Sequence, residues 1–300
     1  MRLGVDLGGS KIEIIGLGSD GEVLLRQRVA TPHGDYVATI AAIADLVEAA
    51  ENTLGISGLS VGIGTPGAIS RATGLLKNSN SVSLNGKPLL QDLQTRLGRR
   101  VRISNDANCF ALSEAIDGAA AGASVVFGVI IGTGTGAGIV VNRELLTGPN
   151  AIAGEWGHNP LPWPQAEELP GPECYCGKRG CIETYLSGTG MARDYRQHTG
   201  EALSAESVVA RAEHGEAAGR AVLERYYDRM ARALAHVINI LDPDVIVLGG
   251  GMGKITQLYR EIPCRWGAYV FSDRVDTRLV APVHGDSSGV RGAAWLWPAQ

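Results

Sequence analysis

The 300-residue sequence lacks three features that would place a protein in a membrane, on the secretory route or on nucleic acid. It has no run of about eighteen apolar residues, the length that a membrane-spanning helix needs. It has no cluster of Lys and Arg to bind phosphate backbones, and its formal net charge is −4. Its first residues resemble a strand, not a charged segment followed by an apolar one. We therefore expect a cytoplasmic protein that binds neither membranes nor nucleic acid.

Cysteine is scarce, and its placement disfavours a disulfide scaffold. The chain has five cysteines, of which Cys109 and Cys264 lie in unrelated contexts. The other three fall within the eight residues 174–181. Odd and unpaired usage of this kind suits a reducing compartment.

The clustered cysteines form a C-x-C-x4-C pattern, Cys174, Cys176 and Cys181, with His158 upstream. Three thiolates and an imidazole are the closed tetrahedral donor set of structural zinc. Ordinary buried thiols or a disulfide pair are the alternatives at this point. Two carboxylates, Glu155 and Glu183, flank the pattern, so a metal here would orient whatever they bind.

The order of predicted strands and helices repeats once along the chain. The first part predicts a βββαβαβα unit, with strands at 2–7, 11–18, 22–29, 57–63 and 101–104 and helices at 35–54, 89–97 and after Asp106. The second part restarts the pattern, with strands at 124–131, 137–141, 245–248 and 277–283 and helices at 204–214, 217–241 and from about 289. The predicted lobes are 1–117 plus 289–300 and 118–288, the second containing a zinc-binding segment at 155–183. Two such lobes predict a ligand cleft.

Each predicted lobe carries a glycine-rich turn between its first two strands. The first turn is D-L-G-G-S-K at 6–11, and the second is G-T-G-T-G-A-G at 132–138. Glycine lets backbone N–H groups approach a phosphate without obstruction by a Cβ atom. A plain glycine hairpin is the alternative for either turn alone, whereas the pair predicts two turns on one polyphosphate. Neither turn has the P-loop or Rossmann pattern.

Asp106 follows a predicted strand and precedes a helix, with Asn105 beside it. A helix cap explains such a residue fully. A carboxylate that accepts the proton of an attacking hydroxyl explains it equally, because phosphoryl transfer uses one in this role. The sequence leaves both interpretations open.

Together these motifs resemble the ROK family of sugar kinases, and in particular its bacterial fructokinase (manno-fructokinase) branch. Further motifs that support the resemblance are G-T-P-G at 64–67, N-D-A-N-C at 105–109, G-E-W-G-H-N-P-L at 154–161 and V-L-G-G-G at 247–251. The resemblance covers nearly the whole chain. It implies a two-lobed, actin-like ATPase fold of the α/β class, built on a duplicated ribonuclease H-like unit with an inserted zinc-binding loop.

The resemblance also implies roles for individual residues. Asp106 would be the general base, and Asp6 would hold Mg²⁺ through water. The implied sugar contacts are Gly67, Asn80, Asn105, Asp106, Glu155, His158 and Glu183. The implied ATP contacts are Gly4, Asp6, Gly8, Gly9, Ser10, Lys11, Gly132, Thr133, Gly134, Gly136, Gly249 and Gly250. The zinc ligands would be His158, Cys174, Cys176 and Cys181, with the second ring nitrogen of His158 directed toward the sugar.

The implied activity is that of an ATP:hexose phosphotransferase. Fructose is the first expectation, with mannose or glucose next and an N-acetylated hexosamine last. The family usually has Thr where this chain has Ser10, and segment 78–86 lacks the proline and tryptophan of many ROK glucokinases. A sugar-responsive regulator needs a DNA-binding segment that we do not find here, and a filament or chaperone ATPase has no use for the grouped Glu155, His158 and Glu183. Family likeness favours a homodimer.

Overall fold

The computed structural model describes residues 1–79 and 81–298. Two compact units divide the chain. The first unit contains residues 1–122, 138–153 and the segment from Val283 onward, and the second contains 123–137 and 154–282. The predicted lobe boundaries differ from this division, because they place residues 118–122, 138–153 and 283–288 with the second lobe.

A five-stranded mixed sheet, in the order β3-β2-β1-β4-β7, forms the centre of the first unit. Its strands are β1 (Arg2–Leu7), β2 (Lys11–Leu17), β3 (Val23–Ala30), β4 (Ser60–Thr65) and β7 (Val101–Asn105). β1 pairs antiparallel with β2 and parallel with β4, and β4 pairs parallel with β7. Two short strands, β5 (Ala68–Ile69) and β6 (Leu76–Lys77), form a separate ribbon. The ends of β1, β4 and β7 therefore lie at one edge of the sheet.

The helices of the first unit have clear start and stop signals. They are α1 (Tyr36–Leu54), α2 (Leu89–Leu97), α3 (Asp106–Ile116) and α10 (Ser288–Trp295). Asp35 caps α1 by accepting from the Ala38 N–H, and Gly55 ends the helix at φ 68°. Ile40, Ile43 and Val47 of α1 are buried at helical spacing, so α1 packs one apolar face into the core.

The second sheet has the strand order β10-β9-β8-β11-β12. Its strands are β8 (Val125–Ile131), β9 (Thr135–Val141), β10 (Glu144–Leu145), β11 (Val245–Gly249) and β12 (Arg278–Val280). The division between the units falls within β9, after Ala137. The helices of the second unit are α4 (Ile182–Leu186), α5 (Gly188–Thr199), α6 (Ala205–Glu213), α7 (Ala217–Leu241), α8 (Leu258–Glu261) and α9 (Pro263–Trp266).

Helix α10 approaches the first sheet unusually closely because glycine stands at the contacts. A Cβ atom at Gly4 of β1 would overlap the Val290 carbonyl, and one at Gly62 of β4 would overlap the Ala293 carbonyl. Gly292 of α10 meets the Cys109 carbonyl of α3 in the same way. The packing of α10 thus already requires glycine at position 4, and its predicted nucleotide contact stays a prediction.

The predicted α/β class is confirmed, and the first unit has the predicted βββαβαβα order when the small β5–β6 ribbon is set aside. The strand predicted at 57–63 begins later, at Ser60, and the strands β5, β6 and β10 were not predicted. None of the helices in the described ranges has both the length and the apolar character that crossing a bilayer requires.

Candidate functional site

The predicted catalytic residues of the first unit meet at one edge of its sheet. Asp6 of β1 pairs with Gly64 of β4, and Thr65 of β4 pairs with Asn105 of β7. Because these strands are parallel, the residues at their carboxyl ends converge. The structure thus brings the start of the first glycine turn together with the Asn105–Asp106 pair.

Asn105, not Asp106, caps helix α3. The Asn105 side chain accepts from the Asn108 N–H at 2.7 Å, and Asp106 is the first residue of the helix. The interpretation of Asp106 as the N-cap is therefore wrong by one position. One carboxylate oxygen of Asp106 accepts from the Ala107 N–H at 2.8 Å, so the carboxylate is held without serving as the cap.

Carboxylates crowd together at this edge and repel each other. Asp6 is half-buried, and its pKa is raised to about 6 by burial, by the charge of Asp106 and by that of Glu13, its partner on β2. Asp106 keeps access to solvent, but protein surrounds most of its carboxylate, and this loss of water raises its pKa despite the bond from the Ala107 N–H. A cation or a bound proton would relieve this concentration of negative charge.

The first glycine turn is a tight hairpin, since the Gly8 N–H donates to the Lys11 carbonyl at 3.0 Å. Thr31 holds the turn from the side by donating its hydroxyl to the Gly8 carbonyl at 2.8 Å. Beside it lies a cavity of about 540 Å³, whose lining includes Gly8, Gly9, His33 and Ser81. The plain-hairpin geometry and a cavity thus occur together here.

Gly67 has a steric reason to be glycine. Its φ is 85°, and a Cβ atom there would overlap the Lys77 carbonyl and come within 2.8 Å of the Ser79 amide nitrogen. Gly67 therefore fixes the approach of segment 77–79 to the end of β4. Asn80, the predicted sugar contact in the next position, lies outside the described residues.

The second unit has a corresponding edge at the ends of β8 and β11, which are parallel. The turn after β8 begins at Gly132, and β11 ends at Gly249. Gly250 has a φ of 78°, and a Cβ atom there would overlap the Ile131 carbonyl, so the two turns pack together. The predicted glycine residues of the second lobe are thus neighbours.

A cavity of about 850 Å³ opens beside these two turns. Its lining includes Gly132, Thr133 and Gly251 together with residues that the sequence analysis did not select. These additional residues are Gly188, Thr189, Ala192, Ser204, Ala205, Glu206, Val209, Ala210, Glu213, Met252, Lys254, Ile255 and Thr256. Most lie on α5, α6 and the segment after β11, and no local motif identifies them. The local signals are the serine caps Ser187 before α5 and Ser204 before α6, which mark the two helix starts that meet there.

The predicted metal ligands come together. The donor atoms of His158, Cys174, Cys176 and Cys181 all lie within 4.8 Å of one another. Cys174 Sγ lies 3.5 Å from His158 Nδ1, and Cys176 Sγ lies 3.6 Å from Cys181 Sγ. Ligand atoms around tetrahedral zinc are about 3.5 to 3.8 Å apart, so the cluster could hold this ion.

The second ring nitrogen of His158 faces Tyr175. Nε2 lies 2.9 Å from the Tyr175 hydroxyl, and the two rings meet edge to face with centroids 5.0 Å apart. With a metal on Nδ1, Nε2 would carry a hydrogen and donate it. The predicted contact of this nitrogen with sugar therefore competes with Tyr175, which the sequence analysis missed.

The segment that carries the Cys/His cluster is attached to α7 by an ionic network. The buried Glu168 accepts from Arg229 at 2.8 Å and from Arg232 at 2.7 Å. Although burial raises its pKa, the two guanidinium groups prevail and lower it to about 2. Tyr185 of α4 donates its hydroxyl to the Glu168 carbonyl at 2.7 Å. Removal of either partner would leave a buried charge, so this segment has a fixed attachment independent of any metal.

Comparison with known proteins gives consistent results over the whole chain. A family model described as the ROK family matches residues 2–300. An N-acetyl-D-glucosamine kinase of Salmonella newport (strain SL254) is 40% identical over 300 residues, covering 99% of this chain and 99% of that protein.

Two solved structures are similar at lower identity. A ROK hexokinase from Thermus thermophilus has a TM-score of 0.88 and 28% identity, covering 98% of this chain and 96% of that one. A ROK family glucokinase from Streptomyces griseus, in complex with glucose and AMPPNP, has a TM-score of 0.77 and 26% identity, covering 98% of each chain.

We expect the purified protein to contain about one zinc ion per chain, since four suitable donors are in place. Cys181→Ser should lose most of the metal and lower the melting temperature by about 5 °C or more. Cys264→Ser, which changes an exposed cysteine outside the cluster, is the matched control and should retain the metal. Metal analysis and thermal unfolding measure both effects. A metal-free parent, or a Cys181→Ser protein with full zinc content, would contradict the zinc assignment.

Asp6→Asn should stabilise the protein at pH 8 by on the order of 2 kcal/mol. The folded-state pKa of Asp6, about 6, lies above the ordinary value near 3.8, so the parent loses stability as pH rises through this window. The advantage of the variant should therefore shrink toward pH 4. Urea unfolding without divalent cations between pH 4 and 8 measures it, with the exposed Asp20→Asn as control. A difference that does not change with pH would refute the electrostatic cause.

Proposed function

The chain belongs to the ROK family of sugar kinases, and on that premise we propose that it transfers the terminal phosphoryl group of ATP to a hydroxyl of N-acetyl-D-glucosamine. The geometry that carries the proposal is that of Asp106. This carboxylate stands at the carboxyl ends of the parallel strands β1, β4 and β7 and is accessible to solvent. Asn105 caps α3, so Asp106 does not serve as the cap. It is therefore free to accept a proton from a substrate hydroxyl.

The role of general base requires a carboxylate that is poised to take up a proton. The protein atoms around the carboxylate of Asp106 exclude water and raise its pKa above the ordinary value of a carboxyl, which increases its basicity. The bond from the Ala107 N–H holds one of its oxygens, so the other is available to the hydroxyl. Phosphoryl transfer needs little more than such positioning together with charge neutralisation.

We assign the remaining sugar contacts as the resemblance implies. Gly67 and Asn105 lie at the edge of the first sheet, and Glu155, His158 and Glu183 lie around the Cys/His cluster of the second unit. Since the Asn105 oxygen caps α3, its amide nitrogen is the group that would donate to sugar. Asn80 remains part of this proposal on sequence grounds alone.

We assign the ATP contacts to the two glycine turns, as the resemblance implies. The first is Gly8 to Lys11, and the second is Gly132 to Gly136 with Gly249 and Gly250 beside it. The cavity of about 850 Å³ next to the second turn has room for a nucleoside. Mg²⁺ fits near Asp6, because a divalent cation would offset the repulsion that raises the pKa of this carboxylate. When bound, Mg²⁺ would neutralise phosphate charge.

Zinc in the Cys/His cluster would be structural. Three thiolates and one imidazole fill a tetrahedral shell, so no position is left for substrate. The ion would fix the irregular segment that carries Glu155 and Glu183. The homodimer and the cytoplasmic location implied by the resemblance are further proposals about the same protein.

N-acetyl-D-glucosamine replaces fructose as the preferred substrate because of the full-length similarity to an N-acetyl-D-glucosamine kinase at 40% identity. The sequence analysis ranked N-acetylated hexosamines behind fructose, and the comparison favours that alternative. No motif in the chain distinguishes these hexoses, since selectivity depends on the placement of hydrogen-bonding groups.

The substrate is tested by ADP release with Mg²⁺ and ATP on a panel of sugars. We expect kcat/KM for N-acetyl-D-glucosamine to exceed that for fructose, mannose, glucose and N-acetylmannosamine by about tenfold or more. A preference for another hexose would keep the reaction and overturn the substrate. No turnover on any sugar would overturn the kinase assignment.

Asp106→Asn should lower kcat by about 10²- to 10⁴-fold, the range for loss of a general base. Affinity for the sugar should change little, because the amide keeps the shape of the carboxylate. Asp45→Asn, on the exposed face of α1, is the control and should retain activity. Steady-state kinetics and calorimetric sugar binding separate the two effects. Wild-type kcat in Asp106→Asn would exclude the base assignment.

A further inference from the structure

Glu183 touches the second glycine turn directly. It lies in the first turn of α4, two residues after the predicted metal ligand Cys181. Its Oε2 accepts from the backbone N–H of Thr135 at 2.9 Å. A Cβ atom at Gly134 would come within 2.7 Å of the same oxygen, so glycine at this position makes room for the carboxylate.

Other parts of the second unit hold the same turn. A Cβ atom at Gly157, next to His158, would overlap the Thr135 carbonyl. The segment that carries the Cys/His cluster therefore packs against Thr135 as well. On another side, the Gly188 N–H donates to the Gly132 carbonyl at 2.8 Å. The Thr189 hydroxyl donates to the Thr133 carbonyl at 3.0 Å. Of these contacts, only that of Glu183 uses an ionisable side chain that is also a proposed sugar ligand.

We propose that Glu183 positions the turn that binds the nucleotide phosphates, in addition to its proposed contact with sugar. This inference rests on the proposed function for the identity of both ligands. Oε2 fixes the Thr135 N–H, and hence the direction of the neighbouring backbone, while Oε1 is left for a sugar hydroxyl. Glu183 is thus a positioning residue for the nucleotide and a ligand for the sugar.

The two oxygens can be separated by substitution. Glu183→Gln keeps one carbonyl oxygen, which can still accept from Thr135, and replaces the other with an amide. Glu183→Ala removes both acceptors. The matched contrast is Glu155→Ala, because Glu155 is also a proposed sugar ligand but lies exposed before the short helix Trp156–His158. If Glu183 contacted only the sugar, Glu183→Ala and Glu155→Ala would have the same affinity for nucleotide.

The experiment measures binding of a non-hydrolysable ATP analogue with Mg²⁺, without sugar, to the full-length protein. Loss of a charge-assisted bond predicts that Glu183→Ala weakens nucleotide binding about tenfold or more. Glu183→Gln should stay within about threefold of the parent, and Glu155→Ala should match the parent. Nucleotide affinity in Glu183→Ala equal to that of the parent would overturn the inference.

Metal content and melting temperature are measured on every variant, because loss of the fold would imitate loss of binding. Gly134→Ala provides an independent perturbation, since its methyl group would displace Oε2 without touching the cluster. Gly134→Ala should weaken nucleotide binding, and the double variant Gly134→Ala/Glu183→Ala should bind nucleotide no worse than Glu183→Ala. Fully additive losses would contradict a shared contact.

The outcomes also separate this inference from the proposed function. If the parent binds the analogue but phosphorylates no sugar, the proposed function is overturned. The difference in nucleotide affinity between Glu183→Ala and Glu183→Gln can still be measured, so the inference is still tested. If the parent phosphorylates N-acetyl-D-glucosamine and Glu183→Ala binds nucleotide as well as the parent does, only the inference is overturned. A parent that binds no nucleotide would overturn both.

Discussion

Parallel strand pairing is the constraint on which the candidate site depends. In the first unit it brings the ends of β1, β4 and β7 to one edge, and in the second it does the same for β8 and β11. Backbone hydrogen bonds set the register, so Asp6 of β1 and Asn105 of β7 lie at the same edge, with β4 between them, although about one hundred residues separate them in sequence. Close approach of neighbouring backbone then demands glycine at particular points, such as Gly67 and Gly250.

The Cys/His cluster adds order where no sheet or long helix exists. The chain from Glu155 to Cys181 forms only short helical turns, yet it carries proposed ligands at both ends. Its fixed points are the four donor atoms and the Glu168 attachment to α7. Because Glu183 continues into α4 and reaches Thr135, order imposed at the cluster extends to the glycine turn. The Cys/His cluster and the proposed ligands Glu155 and Glu183 therefore share one structural support.

The sequence predicts what is local and misses what is distant. The cysteine spacing predicts the metal cluster because three donors lie within eight residues. Asn105 and Asp106 are both good caps, and backbone angles alone decide between them. The contact of Glu183 with Thr135 spans 48 residues, and that of Tyr175 with His158 depends on a side-chain orientation, so neither has a motif. The choice among hexoses has no motif for the same reason, since it depends on distances between groups from different segments.

The dependence of the first unit on α10 has a consequence for biosynthesis. Glycines at positions 4, 62 and 292 let this helix fill the space between the first sheet and α3. During translation, β1 to β7 leave the ribosome long before α10, whereas residues 154–282 of the second unit are complete earlier. The first unit thus spends most of synthesis with an open apolar core. The apolar surface that α10 covers is therefore the last part of the core of the first unit to be buried during synthesis.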